Sequence, residues 1–312
     1  MRNLFGVGSL GEIVRKIQGT LTDAGFDTHG VDGIYGNDTV TAVSAFQSAN
    51  SQTATGTIDD GTWPVLMKSP IPTVFDRCLE LTGSFENHGF GLAIGNFDGA
   101  LLTWGIVGFT MASGEVQSIV LGVNASAPEC VQNAFGANAS QLLTLMQASS
   151  GEQETWADSV TLPNGSLAEP WRSMFQVFGS FPEVQQEQIH HVQSDYMNPA
   201  MSTAKNLGLS SELGLALCFD IHVQNGGIKP AAMSQILAAQ TPGISESQLR
   251  TIVANAVADF SSPRWRDDVR QRKLTVAMGQ GLVHGHNYVL ANWGLEEVYN
   301  VPELTSTAAA SQ

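Results

Sequence analysis

Two carboxylates, Glu86 and Asp98, lie among glycines and apolar residues in the stretch from Gly83 to Phe109, which contains no Lys or Arg. Because burying a carboxylate without a cationic neighbour is costly, folding alone does not favour placing two of them here. Hydrolysis of a glycosidic bond commonly uses such a pair. One carboxylic acid protonates the leaving oxygen, and one carboxylate activates water or attacks directly. The pattern therefore indicates acid–base chemistry for Glu86 and Asp98.

The surroundings of these carboxylates in the sequence differ as an acid and a base require. Glu86 follows an apolar helical segment and has Phe85 and Phe90 close by in the chain. An apolar setting raises the pKa of a carboxyl group because it disfavours the charged form. Asp98 follows the turn-like sequence IGNF and precedes Gly99, a wet setting that favours the ionised form. The alternative is local: a cap or ion pair for Glu86 and an Asp-Gly turn for Asp98.

The composition excludes several classes of partner. The chain has 312 residues, is 43% hydrophobic and 14% charged, and can form one large domain or two smaller ones with a real core. Its net charge of -15 argues against nucleic acid, because phosphate binding needs clustered Lys and Arg. The same charge argues against docking on anionic membranes. An acidic surface suits a cationic polymer, or simply solubility.

The beginning of the chain contains one Arg and no apolar run long enough for a signal peptide. No stretch approaches the ~18 apolar residues that a membrane-spanning helix needs. We therefore expect synthesis in the cytoplasm without membrane insertion, and export by another route if the protein acts elsewhere.

Cysteine and histidine spacing gives no sign of a metal centre. Cys78, Cys130 and Cys218 are widely spaced and odd in number, which favours small buried residues over a disulfide framework or a zinc site. His190 and His191 are adjacent, so on a helix they point apart. Zinc peptidases and amidases need clustered ligands, so we expect no metal, no cofactor and neither of these activities.

Residues 9–66 have the pattern of three short helices. The segment 10–26 has apolar residues at helical spacing, and 31–39 (VDGIYGNDT) is rich in turn residues. A second amphipathic segment covers 39–50, and a third short helix is predicted to start near Asp60.

This segment resembles the peptidoglycan-binding type 1 module. That family has a helix ending in LQ, a D-G-x-[FY]-G-x-x-T loop, then A-V-x-x-F-Q, and a closing T-W. The corresponding positions are Ile17-Gln18, Gly25, Asp32-Gly33-Ile34-Tyr35-Gly36, Thr39, Ala42-Val43, Phe46-Gln47 and Thr62-Trp63. The resemblance implies binding to the bacterial cell wall. Asp32, Gly33, Tyr35, Gly36 and Trp63 mark the module, although most of the motif is structural and does not identify the atoms that touch the wall.

The rest of the chain has a different pattern. The module is predicted to occupy residues 1–66. Residues 67–73 contain two prolines and are predicted to be a linker, followed by a larger domain over 74–303 and a disordered tail over 304–312. A helix is expected after Thr73, strands within 89–110, and mainly helices after about residue 115. The sequence thus predicts an α+β, mostly helical fold, with a small three-helix module followed by a domain that has one small antiparallel sheet.

The spacing around the two carboxylates resembles the signature of the glycoside hydrolase family 46 chitosanases. In that family a Glu-Asn at the end of the first helix precedes the pattern D-G-x-x-x-T-x-G-I-I-G-F. The corresponding positions are Glu86-Asn87, Asp98-Gly99, Thr103 and Gly105 to Phe109. The resemblance implies a lysozyme-like catalytic domain and an inverting hydrolase, with Glu86 as general acid and Asp98 as general base. Thr103 would orient the attacking water, and its alternative is an ordinary strand threonine.

The resemblance continues more weakly toward the C-terminus. It implies that Asp220, in a buried helix, and Arg272 form a network that supports Glu86. The alternative is a structural ion pair without a catalytic part. The segment 279–288 departs from the family, and the further basic residue of the family's network is not apparent there. The candidate substrate-binding residues are Asn87, Trp104, Gln224, Asn225 and His284, with core filling as the alternative for Trp104 and a packed or exposed side chain for His284.

The wall-binding module decides the expected substrate. Chitosan and peptidoglycan share a β-1,4-linked aminosugar backbone, so the same acid and base can cut either polymer. A binder linked to a catalyst raises the local concentration of bonds to cut. We therefore expect a monomeric, endolysin-type muramidase that cleaves the MurNAc–GlcNAc bond of peptidoglycan in the periplasm or on the cell wall after release or delivery.

Four alternatives stay open. A type VI-like secreted effector differs only in its delivery. A chitosanase suits the acidic charge, since chitosan is a polycation. A lytic transglycosylase would need Glu86 and not Asp98. A non-catalytic wall-binding protein would need neither carboxylate.

Overall fold

Helices make up most of the regular structure, and short antiparallel strands supply the rest, which confirms the predicted α+β class. The computed structural model describes residues 1–86, 89–299, 301 and 304, and the side chain of Glu86 lies outside the described part. The candidate substrate-binding residue Asn87 also lies outside the described residues. Leu304, placed at the start of the predicted disordered tail, is buried.

The elements have the following bounds. The helices are α1 (Glu12–Asp23), α2 (Asn37–Ala49), α3 (Thr62–Met67), α4 (Val74–Glu86), α5 (Glu115–Ser126), α6 (Pro128–Phe135), α7 (Ala139–Met146), α8 (Ser150–Val160), α9 (Trp171–Phe178), α10 (Pro182–Val192), α11 (Asn198–Leu207), α12 (Glu212–Asn225), α13 (Pro230–Ala239), α14 (Glu246–Asp259) and α15 (Arg266–Met278). The strands are β1 (Asn3–Phe5), β2 (Ile58–Asp59), β3 (Ala93–Ile94), β4 (Thr103–Trp104), β5 (Phe109–Thr110), β6 (Gln280–Val283) and β7 (His286–Val289).

Two compact units divide the chain. The first combines Met1–Phe85 with the described residues from Tyr196 onward, and the second is Glu86–Asp195. The first unit therefore contains α1–α4 and α11–α15, except for the last residue of α4. The second contains β3–β5 and α5–α10. The two units are defined only by how compactly the chain folds. The domain boundaries predicted from the sequence stay a prediction.

The N-terminal module forms its own apolar cluster within the first unit. Helices α1, α2 and α3 contribute to it, and strand β1 pairs with β2 beside them. The buried side chains are Leu4, Phe5, Val14, Ile17, Leu21, Tyr35, Ala42, Val43, Phe46, Ile58, Trp63 and Leu66. The predicted three helices are confirmed, and the short β1–β2 pair is an addition that the sequence did not predict.

Polar contacts join this module to α4 within the first unit. The carboxylate of Glu80 on α4 is buried and accepts hydrogen bonds from the backbone N–H groups of Ile13 (2.6 Å) and Val14 (3.3 Å), at the start of α1. These N–H groups have no partner inside their own helix, so an acceptor is needed there. A Cβ at Gly11 would lie 2.6 Å from the same carboxylate, so only glycine fits this contact.

A buried ion cluster adds a second connection. Glu212 on α12 accepts a hydrogen bond from Arg77 on α4 at 3.1 Å and pairs with Arg2 of the module. Arg77 and Glu212 are both nearly inaccessible to solvent. Removing one partner of such a cluster leaves an uncompensated buried charge, so the module is built into this unit.

Helix α12 is the most buried helix of the first unit. Every residue from Glu212 to Ile221 is buried, as the apolar sequence predicts. Helix α15 is rich in charged residues, and two of its cations, Arg272 and Lys273, are fully buried. The hairpin β6–β7 follows it, with His284 and Gly285 both at positive φ in its two-residue turn, as a tight hairpin requires.

The second unit carries the predicted small sheet. Strands β3, β4 and β5 form an antiparallel sheet in that order, with Ala93 opposite Trp104 and Thr103 opposite Thr110. Helices α5–α10 supply the apolar residues around it. All three cysteines of the chain are buried and form no disulfide. Among the described residues, no helix is long and apolar enough to span a membrane.

Candidate active site

Helix α4 determines the position of Glu86, its last residue. Thr73 and Asp76 cap the start of the helix, since the Asp76 carboxylate accepts from the backbone N–H of Thr73 at 2.8 Å and the Thr73 hydroxyl accepts from the N–H of Asp76 at 3.2 Å. The helix expected after Thr73 is therefore confirmed. Phe85 is buried in the last turn, and Glu86 is the final helical residue. The predicted general acid thus stands at the C-terminal end of a well-capped helix.

Asp220 lies at the centre of a buried charge cluster in the first unit. Its carboxylate is 2.7 Å from Arg272 Nη2 and 2.5 Å from Lys273 Nζ, and it accepts from the Thr82 hydroxyl at 3.2 Å. Burial alone would raise the pKa of Asp220, but the two cations outweigh it and hold the pKa down at about 2. Asp220 is therefore a permanent anion at any physiological pH.

This charge cluster contacts the last turn of α4. The guanidinium carbon of Arg272 lies 4.8 Å from the centroid of the Phe85 ring. Tyr288 packs on the other side of that turn, with its ring 4.7 Å from Phe85 and its hydroxyl donating to the Ser84 carbonyl oxygen at 3.4 Å. The structure therefore brings Asp220 and Arg272 together beside the residues that precede Glu86. Their predicted role in supporting Glu86 stays a prediction.

Lys273 was missed by the sequence reasoning. Its ammonium donates both to the Asp220 carboxylate and to the Asp220 carbonyl oxygen, the latter at 2.9 Å. The resemblance implied a further basic residue within 279–288, whereas the second cation of this cluster directly follows Arg272. The sequence feature that could have predicted a buried Lys273 is the adjacent basic pair in a helix that also contains Leu274, Val276 and Ala277.

Asp98 occupies a very different place, an exposed turn of the second unit. The Asn96 side chain organises this turn, because its Oδ1 accepts from the backbone N–H groups of Gly99 (3.1 Å) and Leu101 (3.2 Å). Its Nδ2 donates to Asp158 on α8 at 2.8 Å. Gly99 has a φ of +90°, which glycine adopts without strain. Asp98 itself accepts only a local bond from the N–H of Ala100 at 3.2 Å among the hydrogen bonds of the described residues.

The Asp98 turn is also fastened to the loop after α8. The backbone N–H of Asn96 donates to the Thr161 hydroxyl at 2.8 Å, and the N–H of Gly95 donates to the Gly165 carbonyl oxygen at 3.0 Å. Ile94 forms an isolated β-bridge with Ser166. An exposed carboxylate is thereby held on a backbone with few degrees of freedom.

The two residues of β4 face opposite ways, as neighbours in a strand do. Trp104 is fully buried, its indole N–H donates to the Phe175 carbonyl oxygen at 3.2 Å, and its ring stacks on Phe178 at 5.4 Å. Sugar stacking by Trp104 is therefore wrong, and core filling is the correct alternative. Thr103 is half-buried on the opposite side of the strand, in the same unit as Asp98.

Asp268 gathers two of the candidate substrate-binding residues in the first unit. His284 Nε2 lies 2.7 Å from one carboxylate oxygen of Asp268, and Gln224 Nε2 donates to the other at 3.5 Å. His284 is 46% exposed, so it is open to solvent. Asn225, at the end of α12, has a buried side-chain oxygen without a hydrogen-bond partner among the described residues. Substrate binding by these three residues stays a prediction.

The marker residues of the wall-binding module hold its fold. Asp32 accepts from the Gln18 side chain at 2.9 Å, and this bond lowers the pKa of Asp32. Tyr35 is buried and donates its hydroxyl to the Gly56 carbonyl oxygen at 3.0 Å, and Trp63 is buried with its indole N–H on the Pro70 carbonyl oxygen at 2.9 Å. Gly33 sits at φ +79°, and Gly36 directly precedes α2. The buried rings of Tyr35 and Trp63 thus serve the module's core.

The described residues include no group of three or more His, Cys, Asp and Glu side chains arranged to hold a metal ion.

Comparison with known families agrees with this arrangement. Residues 83–248, more than half of the chain, match the family model of glycosyl hydrolase family 46. Residues 11–66 match the family model of a peptidoglycan binding domain. No curated protein sequence matches the chain.

Solved structures with the same fold are chitosanases. One is a GH46 chitosanase of Gynuella sunshinyii in complex with chitotetraose, with 18% identity, coverage of 71% of this chain and 99% of that chain, and a TM-score of 0.52. Another is a mutant chitosanase from Bacillus subtilis MY002 complexed with 6 GlcN, with 20% identity, coverage of 71% and 100%, and a TM-score of 0.52. At these identities the likeness shows the fold, and the family match adds the class of enzyme. The chain belongs to glycosyl hydrolase family 46 and is therefore a glycoside hydrolase.

Proposed function

We propose that this protein is a muramidase that cleaves the β-1,4 MurNAc–GlcNAc backbone of bacterial peptidoglycan with inversion. The observation that carries the proposal is the joining of a peptidoglycan binding domain and a family 46 domain in one chain. A binder on the same chain raises the effective concentration of glycosidic bonds near the catalyst. If chitosan were the substrate, a peptidoglycan binding domain would not bring the catalyst to it.

In the proposed mechanism Glu86 protonates the leaving oxygen and Asp98 removes a proton from the attacking water. Exposure of Asp98 supports the role of base, because a base that takes a proton from water must reach solvent. The hydrogen bonds from Asn96 hold the turn and leave the Asp98 carboxylate with only one local backbone bond. Thr103, on the outward side of β4, would orient the water with its hydroxyl, which can both donate and accept.

Integration of the module with the catalytic chain also supports a wall substrate. Glu80 and the Arg2–Glu212–Arg77 cluster fix the module within the first unit, so it is not merely tethered. A fixed binder restricts how the polymer is presented, which favours productive geometry over simple enrichment. The protein would then act in the periplasm or on the cell wall, as an endolysin or a delivered effector.

Chitosan hydrolysis is the second candidate. The solved structures of this fold are described as chitosanases, and the net charge of -15 would attract a polycation. A lytic transglycosylase, which needs Glu86 alone, and a non-catalytic wall binder are weaker alternatives. Neither gives a use to a fixed, exposed Asp98.

Parallel hydrolysis assays separate the two leading candidates. Purified peptidoglycan and chitosan of matched chain length are each treated with the wild-type protein, and new reducing ends are counted. The proposal predicts faster release from peptidoglycan. Release from chitosan alone would replace muramidase activity with chitosanase activity.

A further inference from the structure

Two exposed apolar side chains flank the Asp98 turn. Phe97, the residue before Asp98, is 63% exposed, and Leu162, on the neighbouring loop, is 45% exposed. Most large apolar side chains of the second unit are buried, including Trp104 and the rings around it. Single exposed apolar side chains are common on protein surfaces. These two are notable for their position, because they lie on neighbouring loops next to the proposed catalytic base.

The two loops that carry these side chains are fastened to each other. Asn96, before Phe97, is hydrogen-bonded to Thr161, before Leu162. The bond from Gly95 to Gly165 joins the same loops, and the Ile94–Ser166 bridge joins them again. A Cβ on Gly165 would lie 3.1 Å from the Cβ of Phe97, so the base of the Phe97 side chain rests against this glycine. The Phe97 side chain is therefore largely exposed, while its Cβ atom packs against Gly165.

Charge is scarce on these two loops. Asp98 is the only charged residue in 94–101, and 161–167 contains none. Asp158 on α8 also lies beside these loops, and its carboxylate accepts a hydrogen bond from Asn96 Nδ2 at 2.8 Å. A polymer of glucosamine carries one ammonium group per sugar, and such a compact, strongly hydrated cation requires carboxylate partners. Asp98 cannot serve as that partner and also act as the base. N-acetyl and lactyl groups instead present methyl groups, which an aromatic and an aliphatic side chain bind by removing them from water.

We propose that Phe97 and Leu162 form an apolar platform beside the catalytic base, which binds the acetamido and lactyl methyl groups of peptidoglycan and selects it over glucosamine polymers. This inference rests on the proposed function and names the part of the site that would decide the substrate. Phe97 acts as a specificity-determining residue, and its neighbour Asp98 keeps the role of base. Adjacent Cα atoms are about 3.8 Å apart, so a sugar engaged by Asp98 lies within reach of the Phe97 ring.

The test compares Phe97→Ala, Phe97→Tyr and Leu162→Ala on two soluble substrates: uncrosslinked N-acetylated peptidoglycan glycan strands and fully deacetylated glucosamine oligomers. Trp265→Ala is the matched control, because Trp265 is an exposed aromatic residue (53%) of the first unit, stacked on Arg264. Loss of an apolar contact typically changes discrimination by roughly 10-fold to 200-fold. We expect Phe97→Ala to lower kcat/KM on the N-acetylated strands by at least about 10-fold, mainly through KM. Leu162→Ala should have a smaller effect of the same sign, and Trp265→Ala should behave like the wild type. Phe97→Tyr keeps an aromatic ring, so it should restore most of the preference that Phe97→Ala loses.

The outcomes separate this inference from the proposed function. Unchanged KM in Phe97→Ala, in a protein that Asp98→Asn inactivates, would overturn the platform and leave the muramidase proposal standing. An equal loss on both substrates would also overturn it, because selection requires a difference. A wild-type protein that cuts only the glucosamine oligomers would overturn both. The melting temperature of each variant is measured as a control. It should match that of the wild type, because the substituted side chains are exposed.

Discussion

Asp220 and Asp98 are carboxylates in opposite surroundings. Asp220 is fully buried between Arg272 and Lys273, which hold its pKa down at about 2. Asp98 stands in water on a turn, with no charged neighbour between residues 94 and 101. Asp220 is a fixed negative charge that stabilises the buried cations around it. Asp98 is exposed, so water and a substrate can reach its carboxylate. The comparison teaches that environment, not residue type, separates a supporting carboxylate from a candidate reacting one.

The largest predicted effect concerns activity at the exposed carboxylate. Asp98→Asn keeps the shape of the side chain but cannot accept a proton, so the rate should fall by roughly 10² to 10⁴. Because the side chain is exposed and makes only a local bond to Ala100, the melting temperature should not change. Steady-state hydrolysis and thermal unfolding of the same sample measure both. A stable variant with full activity would remove Asp98 from the mechanism.

The buried carboxylate should show the reverse. Asp220→Asn leaves Arg272 and Lys273 without a counter-charge in the interior, which costs about 3–5 kcal/mol of folding stability. The free energy of unfolding from urea titration measures this loss directly. Activity should fall with stability, and it should recover in part at low temperature, where more of the variant is folded. A variant as stable as Asp98→Asn would contradict the contrast between the two residues.

A third prediction concerns how stability depends on pH at another buried carboxyl group, Glu80. Burial raises the pKa of Glu80 to about 8 from an ordinary value of 4.5. The folded state therefore holds a proton that the unfolded state releases, and stability declines as the pH rises from 4.5 to 8, by up to about 1.4 kcal/mol for each pH unit. Asp220, with its pKa depressed, contributes stability that is present above pH 3.8 and is lost as the pH falls toward 2.

Unfolding free energies across pH 2–9 test these opposite signs. The wild type should be most stable near pH 4–5, with a decline on each side. Glu80→Gln, which retains an acceptor for the N–H groups of Ile13 and Val14 but no titratable proton, should flatten the alkaline side alone. An unchanged alkaline slope in Glu80→Gln would assign that slope to another group.

The smallest predicted effect concerns the support of the Asp98 turn. Asn96→Ala removes the acceptor for the N–H groups of Gly99 and Leu101, so the base should sample more positions. Misplacement of a catalytic group by about 1 Å can cost up to roughly 10²-fold in rate. We expect a loss of 10-fold or somewhat more in kcat with little change in KM. Asn164→Ala, which removes a similar local bond to Ser166 on the adjacent loop, is the control and should retain its kcat.

The sequence predicted those features that depend on local pattern. Helical spacing identified the three module helices and the buried helix that carries Asp220. The Gly-rich segment identified the strands around Thr103, and the local sequence IGNFDG indicated a turn at Asp98. Trp104 was assigned to a sugar because nothing in the sequence distinguishes a buried indole from an exposed one. Its neighbours Phe175 and Phe178 are more than 70 residues away in the chain.

Long-range contacts account for the other differences. The Lys273 contact requires α12 and α15 to pack together, and the Glu80 cap requires α4 to meet the start of α1. Neither pairing leaves a periodic signal, so a wall module that looked separable by its motif turned out to be fixed within the first unit. Phe97 lies in the turn-like sequence IGNF, and its exposure, on which the proposed platform rests, depends on how the surrounding loops fold.

Mass spectrometry of the products released from purified peptidoglycan, by the wild type beside Asp98→Asn, tests the central claim most directly. A muramidase that uses both carboxylates releases strands with reducing-end MurNAc, and the Asp98→Asn variant should release almost none. Anhydro products, or equal release by the variant, would contradict the account, because water activated by Asp98 would then have no part in breaking the bond.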